Sequence, residues 1–156
     1  WCDMSEAGGG VAIINENKYG VGAEKNEISV SLLRATERPD PSSDLGHHDF
    51  CYMIYPHEGD IVSAKINETA LEYNIPLIKS DVTADIQDFY PLYLQSMKLS
   101  ENGKMIIYRL SEQNGARGKI KLGKKYSLLN LLEDGNEETD EINYSPFEII
   151  TLGEKL

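Results

Sequence analysis

The chain has 156 residues, 40% of them hydrophobic and 26% charged, so it can bury a sizeable core as one domain or two small ones. Its formal net charge of -11 at pH 7 opposes phosphate backbones and anionic bilayers, whose readers carry a basic patch. Nucleic acid and membrane are therefore set aside as partners, and no run of about 18 apolar residues offers a membrane span.

Gly8, Gly9 and Gly10 lead into VAIIN, residues 11–15, a short β-branched run, and the turn-rich stretch NENKYGVG follows. Ile28, Val30 and Leu32 alternate with Ser29 and Ser31, the period-two pattern of a half-buried strand over residues 28–33. Residues 50–55, FCYMIY, are apolar at every position, which predicts a strand covered on both faces and stopped by Pro56. Between these strands runs a long polar connection that holds Arg34, Arg38, Asp40, Asp44, His47, His48 and Asp49, stiffened by Pro39 and Pro41. Ordered connections of this length usually carry function.

Residues 60–74 form the one helical candidate. Asp60 can cap it, Val62, Ile66, Thr69, Ala70 and Tyr73 fall near helical spacing, and Asn74 and Pro76 end it. Residues 79–90 are polar and read as a connection. From Pro91 the pattern is β again: 92–99, a turn at Glu101-Asn102-Gly103, then 105–110, 118–122, 126–132 and 147–152, with 134–140 as an acidic loop. Roughly nine short strands and one short helix predict an all-β chain, an antiparallel β-sandwich. Residues 1–78 are expected to form part of a large β-sandwich with the helix. A connection over 79–90 then leads to terminal strands over 91–156, which complete that sandwich or form a small β-subdomain.

Zinc-ligand residue types gather at His47, His48, Asp49 and His57. Adjacent histidines on an extended chain point to opposite faces, and the spacing matches no zinc signature, so no metal site is assigned. No catalytic residue is assigned either, because there is no G-x-S-x-G, no Cys–His signature and no glycine-rich phosphate loop before a helix. Asn67-Glu68-Thr69 is a glycosylation sequon by pattern only. The nine tyrosines read first as core and sheet-edge residues, although an exposed Tyr or Trp can stack on a sugar face. Cys51, in its apolar run, is expected to be a buried thiol. Two cysteines and no signal-peptide pattern favour a cytoplasmic location. On these residues alone, three roles stay open: part of an enzyme, a carbohydrate- or subunit-binding module, or a structural element of a homo-oligomer.

Read in order, WCDMSE (1–6), GVAIINENKYG (10–20), SLLRATERPDP (31–41) and HDFCYMIYPHEGD (48–60) resemble the C-terminal region of glycoside hydrolase family 38 α-mannosidases. Residues 97–112, 115–120 and 146–152 are similar, more loosely, to the closing β-domain of the same family. The resemblance implies part of a galactose-mutarotase-like super-sandwich belonging to a retaining, exo-acting mannosidase. In such enzymes a β/α domain carries the aspartate nucleophile, the acid/base carboxylate and a zinc ion. Retention of configuration needs the two carboxyl groups about 5 Å apart. None of those catalytic or zinc-binding motifs has a match here, and Trp1 stands where Met would begin a whole protein. The chain is accordingly expected to be inactive alone and to hold no cofactor of its own. Its expected partners are the β/α catalytic domain of the same parent chain and a mannose-containing oligosaccharide. Its loops are expected to help wall the substrate cleft, with Arg34 foremost and Arg38, Asp40 and His57 behind it. The alternative for Arg34 is a pairing with Asp40 or Asp44 that fixes the loop.

Overall fold

Side-chain alternation along residues 2–57 is realised as two small antiparallel sheets. The strands are β1 (Cys2–Glu6), β2 (Gly9–Asn15), β3 (Val21–Glu24), β4 (Glu27–Val30) and β5 (Tyr52–His57). The order β1-β2-β5 makes one sheet and β3-β4 the other. The computed structural model describes residues 1–75, 77, 79, 81 and 86–156, and it divides into two compact units, Trp1–Lys79 and Ser80–Leu156.

In the first unit β2 is central, and its registers to β1 and β5 decide which side chains share a face. Asp3 lies opposite Ala12, and Ala12 opposite Tyr55; one residue along, Cys2, Ile13 and Ile54 line up on the other face. Helix α1 (Ile66–Asn74) covers the first of these faces: Ala12, Ile14, Ile66 and Ala70 are buried, and Trp1 Nε1–H donates to Asn67 Oδ1 at 3.1 Å.

Several expectations for this unit change. The run FCYMIY is not covered on both faces: β5 is a sheet edge, and Tyr52 and Ile54 are exposed. Pro56 does not stop the strand but pairs with Val11 inside it, which an edge strand tolerates because one side of its backbone bonds to nothing in the sheet. Cys51 is exposed rather than buried, since it precedes that strand. The strand expected over 28–33 ends at Val30, because its partner β3 is only four residues long and the last bond of the pair runs from Ser31 N to Gly20 O. Asp60 caps a turn rather than the helix. Its Oδ1 accepts from Val62 N and Ser63 N, and α1 begins only after Lys65, whose φ is 54°. The helix ends with the Ile75 N–H bonded to Leu71 O; Pro76 lies outside the described residues, as do several positions of the connection read at 79–90.

The second unit is one five-stranded antiparallel sheet of β6 (Tyr93–Leu99), β7 (Met105–Ser111), β8 (Gly118–Leu129), β9 (Glu137–Tyr144) and β10 (Ile149–Lys155), in the order β6-β7-β10-β8-β9. The hairpin expected at Asn102-Gly103 joins β6 to β7, with Gly103 in the left-handed region at φ 69°. Segments read as two strands, 118–122 and 126–132, are a single long strand that ends at Leu129 and whose register to β9 shifts between Lys121 and Tyr126. That irregularity re-aims the far half of the strand, so that Leu122 and Ile142 join Tyr108, Tyr126, Leu110 and Leu152 in one core. Phe89, within the segment read as connection, is buried in the same cluster. The acidic loop expected over 134–140 is half strand. Glu137–Asp140 belong to the edge strand β9, where carboxylates stay in water and Glu138 and Glu141 meet Lys155 and Lys119 at 2.6 and 2.7 Å.

One buried carboxylate ties the loops of this unit together. Glu112 is 3% exposed; its Oε1 accepts from Asn114 N at 2.8 Å, and its Oε2 from Gly115 N and Phe147 N at 2.9 Å each. Burial alone would push this carboxyl up, but the backbone N–H donors converging on it outweigh burial and hold it below the ordinary value of 4.5. A depressed folded value means that the stabilisation is present above about pH 4.5 and is lost as pH falls through the folded value. Glu112→Gln should therefore cost about 2 kcal/mol near neutral pH and flatten the acid limb of the stability profile. Urea unfolding followed by circular dichroism from pH 7 downward measures both; an unchanged acid limb would take Glu112 out of this role.

Candidate functional site

The residues singled out from the sequence fall into two places in the first unit. The first lies under α1. Asp3 on β1 and His57 on β5 flank the central strand, about two strand spacings apart, roughly 10 Å. They meet across β2 because that strand presents only Gly10 and Ala12 to them, opposite His57 and Asp3 respectively. His57 Nε2 lies 2.8 Å from Asp3 Oδ1, and both side chains are only 3% exposed. The ring of Tyr55 stacks on the imidazole at 6.2 Å. His57 Nδ1 is buried with no partner among the described residues, so Asp3 is what holds the polar edge of this ring. Gly10 is required here. A Cβ on it would fall 2.5 Å from Met4 O, against the neighbouring strand.

Around this pair the motif residues have structural work. Trp1 bonds to Asn67 on α1, and Asn67 is itself buried, which removes it as a glycan acceptor in this fold. Gly59, at φ 73°, turns the chain out of β5, and Asp60 closes the next turn onto Ser63. Asp60 sits below the usual carboxylate range because the Ser63 amide and hydroxyl both donate to it.

The second place is the long connection, residues 31–51. It is ordered chiefly by its own carboxylates. Asp44 Oδ2 accepts from Ala35 N at 2.6 Å, and Asp40 Oδ1 accepts from Ser42 N and Ser42 Oγ at 2.8 and 2.7 Å. The Ser42 hydroxyl and amide hold the Asp40 carboxyl below its ordinary value. Ala35 takes a left-handed φ of 50°, and the Thr36 and Ser43 hydroxyls meet at 3.4 Å. His48 Nε2 reaches Asp44 O at 3.1 Å, its ring lies parallel to Phe50, and Lys18 Nζ sits 4.5 Å above the Phe50 ring.

Arg34, Arg38 and Asp40 are exposed on this loop, while His57 belongs to the buried pair. The structure therefore brings three of the four expected cleft residues onto one loop and separates the fourth. Among the described residues no ion pair joins Arg34 to Asp40 or Asp44. His47 and Asp49 make an exposed contact at 3.2 Å, far in role from His57, and no group of three or more His, Cys, Asp or Glu is gathered for a metal among the described residues. Sequence reading missed Asp3, although alternation along Trp1, Asp3 and Ser5 places it on the face that α1 covers.

The site is thus a strand-built one, in which motif residues of an all-β fold with a single described helix bond neighbouring strands and loops to one another. The chain belongs to glycosyl hydrolases family 38. The model of that family's C-terminal domain matches residues 1–42, and the model of its C-terminal beta sandwich domain matches residues 91–152. Relatives agree: the chain is 30% identical over 97% of its length to Alpha-mannosidase G of Dictyostelium discoideum. It is also 41% identical over half its length to Alpha-mannosidase 2C1 of Homo sapiens, and 40% identical over 47% to Alpha-mannosidase of Saccharomyces cerevisiae. The chain spans 16%, 8% and 7% of the lengths of these three relatives, in that order.

Removing one partner of a buried pair leaves the other desolvated and unbonded. Asp3→Asn, and separately His57→Ala, should each lower the stability of the first unit by about 3 kcal/mol. Hydrogen exchange of the β1, β2 and β5 amides reads this directly; unchanged protection would show the pair to be dispensable.

Proposed function

We propose that this chain is the non-catalytic C-terminal β-module of a retaining, exo-acting α-mannosidase that hydrolyses terminal α-linked mannose. The observation that carries the reading is the ordered family match at both ends of the chain, within which Trp1, Asp3 and Glu112 bond to other side chains or to backbone. On this reading the nucleophile, the acid/base carboxylate and the zinc ion belong to a β/α catalytic domain of the parent chain. The present residues hold the module's strands and present its loop. Arg34, with Arg38 and Asp40, borders the substrate cleft, where a planar guanidinium offers several fixed donors to sugar hydroxyls. His57 acts from beneath as a positioning residue. The setting is cytoplasmic, a reading supported by two cysteines that carry free thiols.

A second reading, a carbohydrate-binding module, leans on the exposure of Tyr19 and Tyr52. Both readings meet in one comparison. The full-length parent should hydrolyse an aryl α-mannoside and the isolated chain should not, and Arg34→Ala in the parent should lower kcat/KM by about tenfold, the worth of one to two lost hydrogen bonds. Hydrolysis by the chain alone would overturn the division of labour. An unaltered Arg34→Ala parent would remove Arg34 from the cleft, and saturable mannose binding by the isolated chain would favour the second reading.

A further inference from the structure

Asparagine is followed by glycine twice in this chain, at Asn102-Gly103 and Asn114-Gly115, and the fold treats the two steps differently. Such a step is chemically labile, because glycine has no side chain to keep its nitrogen away from the amide carbon of the preceding asparagine. Whether it reacts in a folded protein depends on what holds the glycine N–H and the asparagine side chain.

The step at Asn114 is tied down. Both of its amides donate to the buried Glu112 carboxylate, Asn114 N to Oε1 at 2.8 Å and Gly115 N to Oε2 at 2.9 Å. Asn114 Nδ2 donates to the Tyr93 hydroxyl at 3.3 Å, and the Phe147 ring comes within 3.2 Å of where a Cβ on Gly115 would stand. Glu112 also binds Phe147 N, so freeing the Gly115 nitrogen means opening the loops that this carboxylate gathers.

The step at Asn102 is at the tip of the β6–β7 hairpin. Residues 101–104 are all exposed there, and a Cβ on Gly103 would meet nothing within 4 Å. Gly103 N is bonded to Ser100 O at 2.9 Å within the turn, and fraying of the tip is enough to release it. Asn102 Oδ1 accepts from Lys104 N and from Ser100 Oγ, each at 3.0 Å. Two donors on that oxygen draw electron density from Cγ and stand where negative charge develops when a nucleophile adds to it.

We propose that Asn102 is a site of spontaneous deamidation in the folded chain, and that the Glu112 carboxylate keeps Asn114 from the same reaction. Base removes the Gly103 N–H proton, and the nitrogen adds to Asn102 Cγ. The Cγ–Nδ2 bond then breaks, and the nitrogen leaves with a returned proton as ammonia. Water opens the resulting succinimide at either carbonyl. Cleavage at Cγ restores the main chain with an aspartate, whereas cleavage at the backbone carbonyl routes the main chain through Cγ as isoaspartate. Nothing is oxidised or reduced. Each event adds one negative charge to a chain of net charge -11, and the isoaspartyl form carries an extra main-chain atom in a turn closed by Ser100 N bonding to Met105 O.

The test follows both steps in one sample. Trypsin separates them, since Lys98 and Lys104 bracket the first and Arg109 and Arg117 the second. The chain is incubated in mildly alkaline buffer, folded and in parallel unfolded in urea, and each peptide is scored for the gain of about 1 Da that replaces an amide by an acid. In the folded chain Asn102 should react about tenfold or more faster than Asn114, as expected when one site needs only local fraying, and in urea the two should react alike. Equal rates in the folded chain overturn the proposal, and so does an Asn102 that stays intact when folded but reacts in urea. Chromatography should resolve aspartyl and isoaspartyl products of Asn102; aspartate alone would mean direct hydrolysis and overturn the ring-closure step. Glu112→Gln should speed Asn114 by about tenfold and leave Asn102 unchanged. Acceleration of neither site, or of both alike, would remove Glu112 as the guard.

Discussion

A carboxylate taken out of water must have its oxygens bonded, and each unit of this chain is organised around one that is. In the first unit Asp3 meets His57, 54 positions away, beneath α1. In the second Glu112 gathers the amides of Asn114, Gly115 and Phe147, the last 35 positions away. A buried charge tolerates few arrangements, so these bonds do more than add stability. They specify which strands come together and where the connecting loops turn. Gly10, Gly59 and Gly115 serve the same ends, by allowing close approach or left-handed turns beside the bonded groups. Segments 1–6, 10–20 and 48–60 meet at the first of these points, and segments 97–112, 115–120 and 146–152 at the second.

Much of the fold was legible because local signals agreed with it. The β-branched run at 11–15, the alternation around 28–30 and the Asn102-Gly103 turn each correspond to an element of the structure. The errors have physical causes. A continuous apolar run such as FCYMIY reads the same whether both faces are covered within the chain or one is left open, so it predicts an interior strand where β5 is an edge. Glu137–Asp140 read as a loop because an edge strand can carry charge on nearly every residue while its backbone still pairs with a neighbour. Asp60 is a good capping residue, and it caps, but the chain needs a turn before the helix can start at Ile66.

The candidate site was legible in composition and not in arrangement. Arg34, Arg38 and Asp40 do share a loop, as their closeness in sequence implies. His57 follows soon after in sequence but faces the other way, because strand parity turns its side chain beneath α1. The pairing with Asp3 depends on register across three strands, which no local pattern encodes. Two kinds of motif residue result. Those at Trp1, Asp3, His57 and Asp60 are engaged in holding the fold, while Arg34 and Arg38 lie exposed on the long loop.

Asp3 and His57 hold the first unit by acting on each other rather than separately. A double-mutant cycle with Asp3→Asn and His57→Ala, read by denaturant unfolding of the chain, measures that coupling. The expected interaction energy is about 2 kcal/mol, with the double variant far less destabilised than the sum of the singles. Additive effects, with coupling near zero, would contradict it.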